Sequence, residues 1–259
     1  MTVRLYTTAM ATTKNQWRLY RDLAWTWPII SPPKDYIEES ERIKRLIRKH
    51  SKIPVKTVLN LGCGGGHVDW VLKRYFTITG IDISTNMLKN ARKLNPQVTY
   101  LKADMRRIRL KKEFDAVVLH DSVNYMLTRN DLKAVFKTAY VHLKPGGVLW
   151  TCVEEYNKIQ QNRIKFSTSK QGNMEITFIE NYYDPNPKDT MYESTFVYLI
   201  RKNKKLRIYT DHHLCGIFKL KTWFSVTRKV GFRVKRQKFK HSTIPKTKDM
   251  PELICLKPK

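Results

Sequence analysis

The stretch Val58-Leu59-Asn60-Leu61-Gly62-Cys63-Gly64-Gly65-Gly66-His67 constrains this chain more than any other. An apolar run enters a cluster of glycines, and a helical pattern leaves it. Glycine has no Cβ, so the backbone there can turn left-handed and approach a ligand closely. Strand, glycine turn and helix N-terminus in that order form the nucleotide end of a doubly wound α/β sheet. Asp82 follows Gly62 by twenty residues and closes the next apolar run, Thr77-Ile78-Thr79-Gly80-Ile81. A carboxylate so placed accepts hydrogen bonds from the hydroxyls of a ribose. These residues predict a site for an adenosine-type ligand.

Two common versions of such a site are missing. The dinucleotide fingerprint places a third Gly or Ala near position 67, where this chain has His67. A phosphate loop ends in Gly-Lys-Ser/Thr, which is absent.

From Thr57 the pattern alternates. Strands are predicted over 57–61, 77–82, 98–101, 114–120 and 147–154, and helices over 66–75, 84–94 and 130–142. This rhythm implies right-handed crossovers and a parallel sheet. Lys144-Pro145-Gly146-Gly147 reads as a helix stop followed by a sharp turn. After Tyr156 come segments rich in β-branched and aromatic residues, near 161–168, 174–182, 190–200 and 205–214, parted by turn signals. A helix over 219–229, a strand over 232–239 and a last strand over 252–256, placed at the hairpin edge, complete the chain. Ahead of the core, Trp17, Tyr20, Trp25 and Trp27 form an aromatic segment, and 35–49 reads as an amphipathic helix. The expected fold is α/β: a Rossmann-like, mostly parallel sheet with an antiparallel C-terminal edge hairpin and an inserted antiparallel meander. The expected division is a cap over 1–53, a core over 54–155 and 216–259, and an insertion over 156–215 that shapes a substrate pocket.

Composition narrows the class. The chain has 259 residues, 41% of them hydrophobic, enough for one sizeable core. No apolar run reaches the roughly 18 residues of a membrane span. The first residues carry Arg4 and Lys14 without an apolar segment, so no signal peptide is expected. Cys63, Cys152, Cys215 and Cys255 are scattered without a C-x-x-C, which fits buried thiols in a reducing cytoplasm, with no metal site expected. The net charge of +28 is spread along the whole chain, as on a solvated basic surface. It also predicts salt-sensitive, non-specific nucleic-acid binding and suits an anionic small molecule.

From Val58 to Glu154 the chain resembles the class I S-adenosylmethionine-dependent methyltransferases. The motifs are the glycine turn; Gly80-Ile81-Asp82-Ile83-Ser84 with Met87-Leu88; Ala103-Asp104-Met105; Phe114-Asp115-Ala116-Val117-Val118; and Leu143-Lys144-Pro145-Gly146-Gly147. The resemblance implies S-adenosyl-L-methionine as cofactor and S-adenosyl-L-homocysteine as product. It places Gly62, Cys63 and Gly64 along the methionine part and Asp82 on the ribose. Ile83 and Met87 would lie against adenine, with Asp104 on its amino group and Met105 packed on the ring. His120 and Asp121 would face the methionine end and the substrate. Met87 and Met105 are also ordinary core residue types. A looser similarity, through Lys34-Asp35-Tyr36, the meander and Thr210-Asp211-His212-His213 with Phe218, is to small-molecule N-methyltransferases acting on nucleotide-linked amino sugars. The polar run Asp121 to Met126 departs from that pattern.

An activated sulfonium methyl asks little of a protein beyond alignment, exclusion of water and a deprotonated nucleophile. His213, with Asp211 close by, is the first candidate base; His120 and Asp121 come next. Tyr125 and Tyr20 are candidates to position substrate or cover the cofactor, and Asp211 to bind substrate. The reading is methyl transfer to a small-molecule acceptor, an amine nitrogen.

Rivals are weaker on the residues. Base N-methylation commonly uses Asn/Asp-Pro-Pro-aromatic after the fourth strand, where this chain has His120-Asp121-Ser122-Val123. Pyrimidine C5 methylation needs a reactive cysteine, and Glu154 and Glu155 beside Cys152 would raise its thiol pKa. An RNA methyltransferase therefore rests on charge alone. A protein methyltransferase is not excluded, although a basic enzyme suits a basic peptide poorly. A non-catalytic cofactor-binding scaffold is disfavoured by the intact pair Asp82 and Asp104.

Overall fold

The computed structural model describes residues 16–153, 162–242 and 250–259. Arg4, Lys14, Glu154, Glu155 and Tyr156, invoked above, lie outside these residues.

The central sheet has seven strands. In chain order they are β1 (Thr57–Leu61), β2 (Thr77–Asp82), β3 (Thr99–Lys102), β4 (Phe114–Leu119), β5 (Leu143–Cys152), and, after the meander, β10 (Arg233–Lys238) and β11 (Pro251–Leu256). Their spatial order is β3-β2-β1-β4-β5-β11-β10. Strands β1 to β5 pair in parallel, while β11 runs antiparallel to both neighbours. The order reverses between β1 and β4, so a crevice opens beyond their carboxyl ends, the usual ligand position in such sheets.

Helices α2 (Ile37–His50), α3 (His67–Leu72) and α4 (Thr85–Leu94) follow the first half of the chain, and α5 (Arg129–Val141) and α6 (Leu220–Val230) the second. Ile43, Leu46 and Ile47 of α2 recur at helical spacing and meet Val58, Val118 and Trp150. On the other face Phe136 of α5 and Trp223 of α6 pack on Leu59, Val117 and Leu149. The sheet is thus covered on both sides, and all six residues of β4 are buried.

The last strand departs from expectation. Strand β11 lies inside the sheet between β5 and β10, and β10 is the edge. The reason is burial: Pro251 to Cys255 are all buried, whereas β10 carries Arg233, Lys235 and Arg236. The Lys144-Pro145-Gly146-Gly147 turn is also different. It is an irregularity within β5, where pairing jumps from Phe114–Leu143 to Ala116–Val148.

The second sheet is the meander β6 (Arg163–Gln171), β7 (Met174–Tyr183), β8 (Met191–Lys202) and β9 (Lys205–Gly216), four strands paired in sequence order. Its β8–β9 hairpin closes through Asn203 and Lys204, both at positive φ, as a two-residue hairpin turn demands. Short turns precede α2, including α1 (Trp27–Ile30). Their Leu19, Leu23, Ala24 and Ile30 fill the space between Met87 of α4 and Ile176, Phe178, Phe196 and Tyr198 of the meander. The N-terminal turns thereby join the second sheet to the strand tips of the first.

Candidate active site

The glycine turn adopts the conformation its composition predicts. Gly62, Gly64 and Gly66 have φ of +71°, +53° and +75°. A Cβ on Gly62 would lie 2.2 Å from Ser122 Oγ, whereas one on Gly64 would meet nothing within 4 Å. Backbone at Gly64 is therefore exposed to whatever occupies the crevice. Trp27 closes over Gly65, where a Cβ would come within 2.7 Å of its ring.

Beneath the turn runs a buried polar network. Asn60 Nδ2 donates to Asp69 Oδ1 at 2.7 Å, and the Tyr100 hydroxyl donates to Asp69 Oδ2 at 3.0 Å. Asn95 Nδ2 donates to the Gly66 carbonyl at 2.8 Å. Burial raises Asp69 to about 6, against the pull of its two donors. His67, in place of a small residue, is buried between Trp27, on which it stacks 11° from parallel, and Tyr36. It packs the N-terminal turns onto α3.

Asp82 stands at the tip of β2. Its Oδ2 accepts from Gly64 N at 2.8 Å, and Oδ1 from Ser84 N at 2.8 Å. Burial raises its pKa, and the backbone donors oppose that shift. Each oxygen keeps a further lone pair, which is what a ribose diol needs. Ile83 beside it is 65% exposed, an apolar surface of the kind an adenine ring covers. Met105 sits next to the glycine turn, its sulfur 3.6 Å from the Cβ position on Gly62. These residues fit an adenosyl cofactor.

Several expected contacts need correction. Met87 is 1% exposed inside the cluster that joins α4 to the meander, so it is core and does not face adenine. Asp104 follows β3, but Arg106 donates to both of its oxygens, from Nη2 at 2.8 Å, and also reaches Asp131. This pairing lowers the Asp104 pKa, and an adenine amino group would have to share the carboxylate. Cys63, expected to offer backbone atoms, has its side chain buried, in keeping with that role.

His120 ends β4, stacked on Trp150, with Glu39 Oε2 3.3 Å from Nε2 and Asp121 Oδ2 3.3 Å from Nδ1. Burial works against its charge, yet the two carboxylates raise it to about 9. Two carboxylates that favour the charged ring argue against His120 as a general base. Asp121 is mostly exposed and bonded to His120 and Cys152.

His213 has both ring nitrogens engaged, which argues against a direct base. Period-two alternation puts Asp211 and His213 on one face of β9 and His212 on the other. Both Asp211 and His213 side chains are fully enclosed. His213 Nε2 lies 2.8 Å from Asp211 Oδ2, and Nδ1 lies 2.9 Å from the Tyr125 hydroxyl. That hydroxyl is 2.8 Å from the hydroxyl of Tyr20. Asp211 accepts from the backbone N–H groups of Arg18 at 2.8 Å and Leu19 at 2.6 Å. It anchors the N-terminal turns, and with both oxygens so engaged and its side chain enclosed it has no face toward a substrate. Tyr20 in turn is tied to the cofactor side, because Ser84 Oγ donates to its carbonyl at 2.5 Å.

The direction of this chain follows from its anchored end. Asp211 accepts only, so His213 Nε2 must donate. In the neutral imidazole Nδ1 then accepts from Tyr125, and Tyr125 accepts from Tyr20. Tyr20 is left with acceptor capacity alone. Burial raises the pKa of both phenols, which stay protonated.

Residues missed by sequence reasoning include Ser84, Ser122, Glu39 and Trp17. Ser84 caps α4 and links Tyr20 to Asp82, and a serine before a helical run was its visible signal. Trp17 holds φ of 61° and packs its ring 5.0 Å from Tyr125 and 5.2 Å from His213. A bulky residue in that conformation is strained, and such strain gathers at working sites.

Sheet order and strand tips together give a Rossmann-like fold with a ligand crevice at its switch point. Residues 58–147 match the model of a methyltransferase domain family. Over 119 residues it is 38% identical to a dTDP-3-amino-3,4,6-trideoxy-alpha-D-glucopyranose N,N-dimethyltransferase of Streptomyces venezuelae, covering 45% of this chain and 49% of that protein. A dTDP-3-amino-3,6-dideoxy-alpha-D-glucopyranose N,N-dimethyltransferase of Streptomyces fradiae is 30% identical over 118 residues, 45% of this chain and 46% of that protein. The chain spans about half the length of these curated relatives in such matches. The crystal structure of Streptomyces venezuelae DesVI superposes with a TM-score of 0.78 at 23% identity, covering 92% of this chain and 96% of DesVI. The sugar N-methyltransferase KedS8 from a Streptoalloteichus species superposes at 0.77 and 16% identity, covering 100% and 98%.

Proposed function

We propose that this protein is an S-adenosylmethionine-dependent methyltransferase that methylates an amine nitrogen of a small-molecule acceptor. One observation carries the choice of an amine: the buried chain Asp211–His213–Tyr125–Tyr20 ends in a hydroxyl with acceptor capacity only, joined through Ser84 to the Asp82 tip. The cofactor supplies an activated sulfonium methyl. Gly62 and Gly64 offer it backbone, Asp82 its ribose contacts and Ile83 an apolar face.

Tyr20 accepts an N–H bond from the acceptor amine and so points the nitrogen lone pair away from itself, along the line of transfer. Alignment of this kind can supply several kcal/mol. The proton shed by the nitrogen goes to Tyr20, whose own proton passes to Tyr125, and that of Tyr125 to His213 Nδ1. The imidazolium so formed is stabilised by Asp211. Tyr20 touches the substrate, while Tyr125, His213 and Asp211 act through it as positioning residues.

The S. venezuelae and S. fradiae relatives are named for dTDP-linked amino sugars, which makes a nucleotide-linked amino sugar the first acceptor to test. The basic surface suits such an anionic molecule. None of the four cysteines forms a disulfide and all are buried, which supports a reducing cytoplasm. Among the described residues no helix is long and apolar enough to cross a membrane. We assign 1–53 to a cap, 54–155 with 216–259 to the cofactor core, and 156–215 to the pocket insertion.

The test is methyl-labelled cofactor incubated with the protein and, separately, amino-sugar nucleotides and other small amines, RNA and protein. Label on a small amine is expected. Label confined to RNA or to protein overturns the acceptor class.

A further inference from the structure

The tips of β4 and β5 bring together three side chains that the proposed chemistry does not use. His120, Asp121 and Cys152 place a ring nitrogen, a carboxylate oxygen and a thiol sulfur within 4.8 Å of one another. His120 Nδ1 lies 3.3 Å from Asp121 Oδ2, and Cys152 Sγ lies 3.7 Å from Asp121 Oδ1. We propose that these three residues form a binding site for a divalent cation of the zinc class, the ion displacing the proton on His120 Nδ1 and that of the Cys152 thiol to solvent, with Glu39 as the outer carboxylate that keeps the Nε2 proton.

The distances are near that use. With Zn–N and Zn–O near 2.0–2.2 Å and Zn–S near 2.3 Å, the edges of a tetrahedral site are about 3.3–3.6 Å. The 3.3 and 3.7 Å spacings run to the two different oxygens of Asp121, and the ligand atoms, within 4.8 Å of one another, draw together around an ion by a turn of the Asp121 carboxylate. The outer shell is also present: a metal-bound histidine ordinarily gives its other nitrogen to a carboxylate, and His120 Nε2 faces Glu39 Oε2 at 3.3 Å. Orientation is held by Trp150, which stacks 14° from parallel on His120 and donates from Nε1 to Glu252 at 3.0 Å. Glu252 pairs with Arg42, one turn along α2 from Glu39, so the outer carboxylate and the stacked ring are tied to one frame.

The donor set selects the ion. Thiolate and imidazole together favour zinc and its relatives over magnesium or calcium, which prefer all-oxygen sites. Three protein ligands leave a fourth position open. Asp121 has 71% of its side chain exposed, which gives an ion a path from solvent. The next residue, Ser122, packs over Gly62 of the glycine turn. This site does not depend on the methyl-transfer reading.

Cobalt(II) reports on it directly. The reduced full chain, stripped with chelator and titrated anaerobically at pH 8, should bind one equivalent with a thiolate-to-cobalt band in the near ultraviolet that zinc abolishes. Cys152→Ser should remove the band, while Cys215→Ser keeps it. Glu39→Gln should keep the band and weaken affinity about 10–100-fold. If Cys152→Ser misfolds by circular dichroism, Asp121→Asn at its exposed position should still weaken cobalt binding at least tenfold. A wild-type titration without the band, or a folded Cys152→Ser or Asp121→Asn protein that binds cobalt as the parent does, overturns the proposal.

Discussion

The hydroxyl of Tyr125, just beyond β4, stands 2.9 Å from Nδ1 of His213 on β9. This contact joins the two sheets at the point where the N-terminal turns close. It also removes His213 from direct contact with any substrate, since Asp211 holds the other ring nitrogen.

His213→Ala should therefore lower kcat about 10–100-fold, below the full range of a direct general base, while leaving cofactor affinity near the parent value. Tyr125→Phe breaks the same chain and should act alike. Parent-like turnover in a folded Tyr125→Phe protein would exclude the relay.

Asp82→Ala should cost cofactor affinity at least tenfold, read by calorimetry. The carboxylate also orders the turn through Gly64 N and Ser84 N, and hydrogen bonds to charged groups contribute about 1.5–3 kcal/mol each. Unchanged affinity in a folded variant would move the cofactor elsewhere.

Gly62→Ala and Gly64→Ala separate packing from binding. Both suffer a positive φ, at a cost of about 1–2 kcal/mol. Only Gly62→Ala also drives a methyl against Ser122, so it should lose more stability in urea unfolding. Gly64→Ala should lose less stability than Gly62→Ala and yet lose cofactor affinity, because its methyl projects into open space at the crevice.

Acid should loosen the N-terminal turns through His67. Burial depresses His67 to about 4, against about 6.5 in an unfolded chain. Between these values the unfolded state binds the proton and the folded state does not. The stability involved is fully present above pH 6.5 and falls as pH drops toward 4, by roughly 3 kcal/mol at most. In His67→Phe the loss between pH 7 and pH 4.5 should shrink by that part of it. Parallel losses in both proteins would contradict the assignment.

Some of this was written in local sequence. Strand followed by three glycines at alternate positions sets the backbone of the turn, and strand length then brings Asp82 to its tip. Strand–helix alternation implied the parallel sheet, and a period of two placed Asp211 beside His213. Backbone preference and periodicity are properties of neighbouring residues, so a single chain displays them.

Other features arose only when distant elements packed. Met87 looks the same in sequence whether it faces adenine or core; the N-terminal turns bury it. Nothing local says that Glu39 and Asp121 flank His120 and hold its proton, or that Tyr125 reaches His213 across 88 residues. Nor does the last strand announce that it enters the sheet between β5 and β10. Desolvation and charge pairing depend on which surfaces meet, and those meetings are set by long-range packing rather than by adjacent residues.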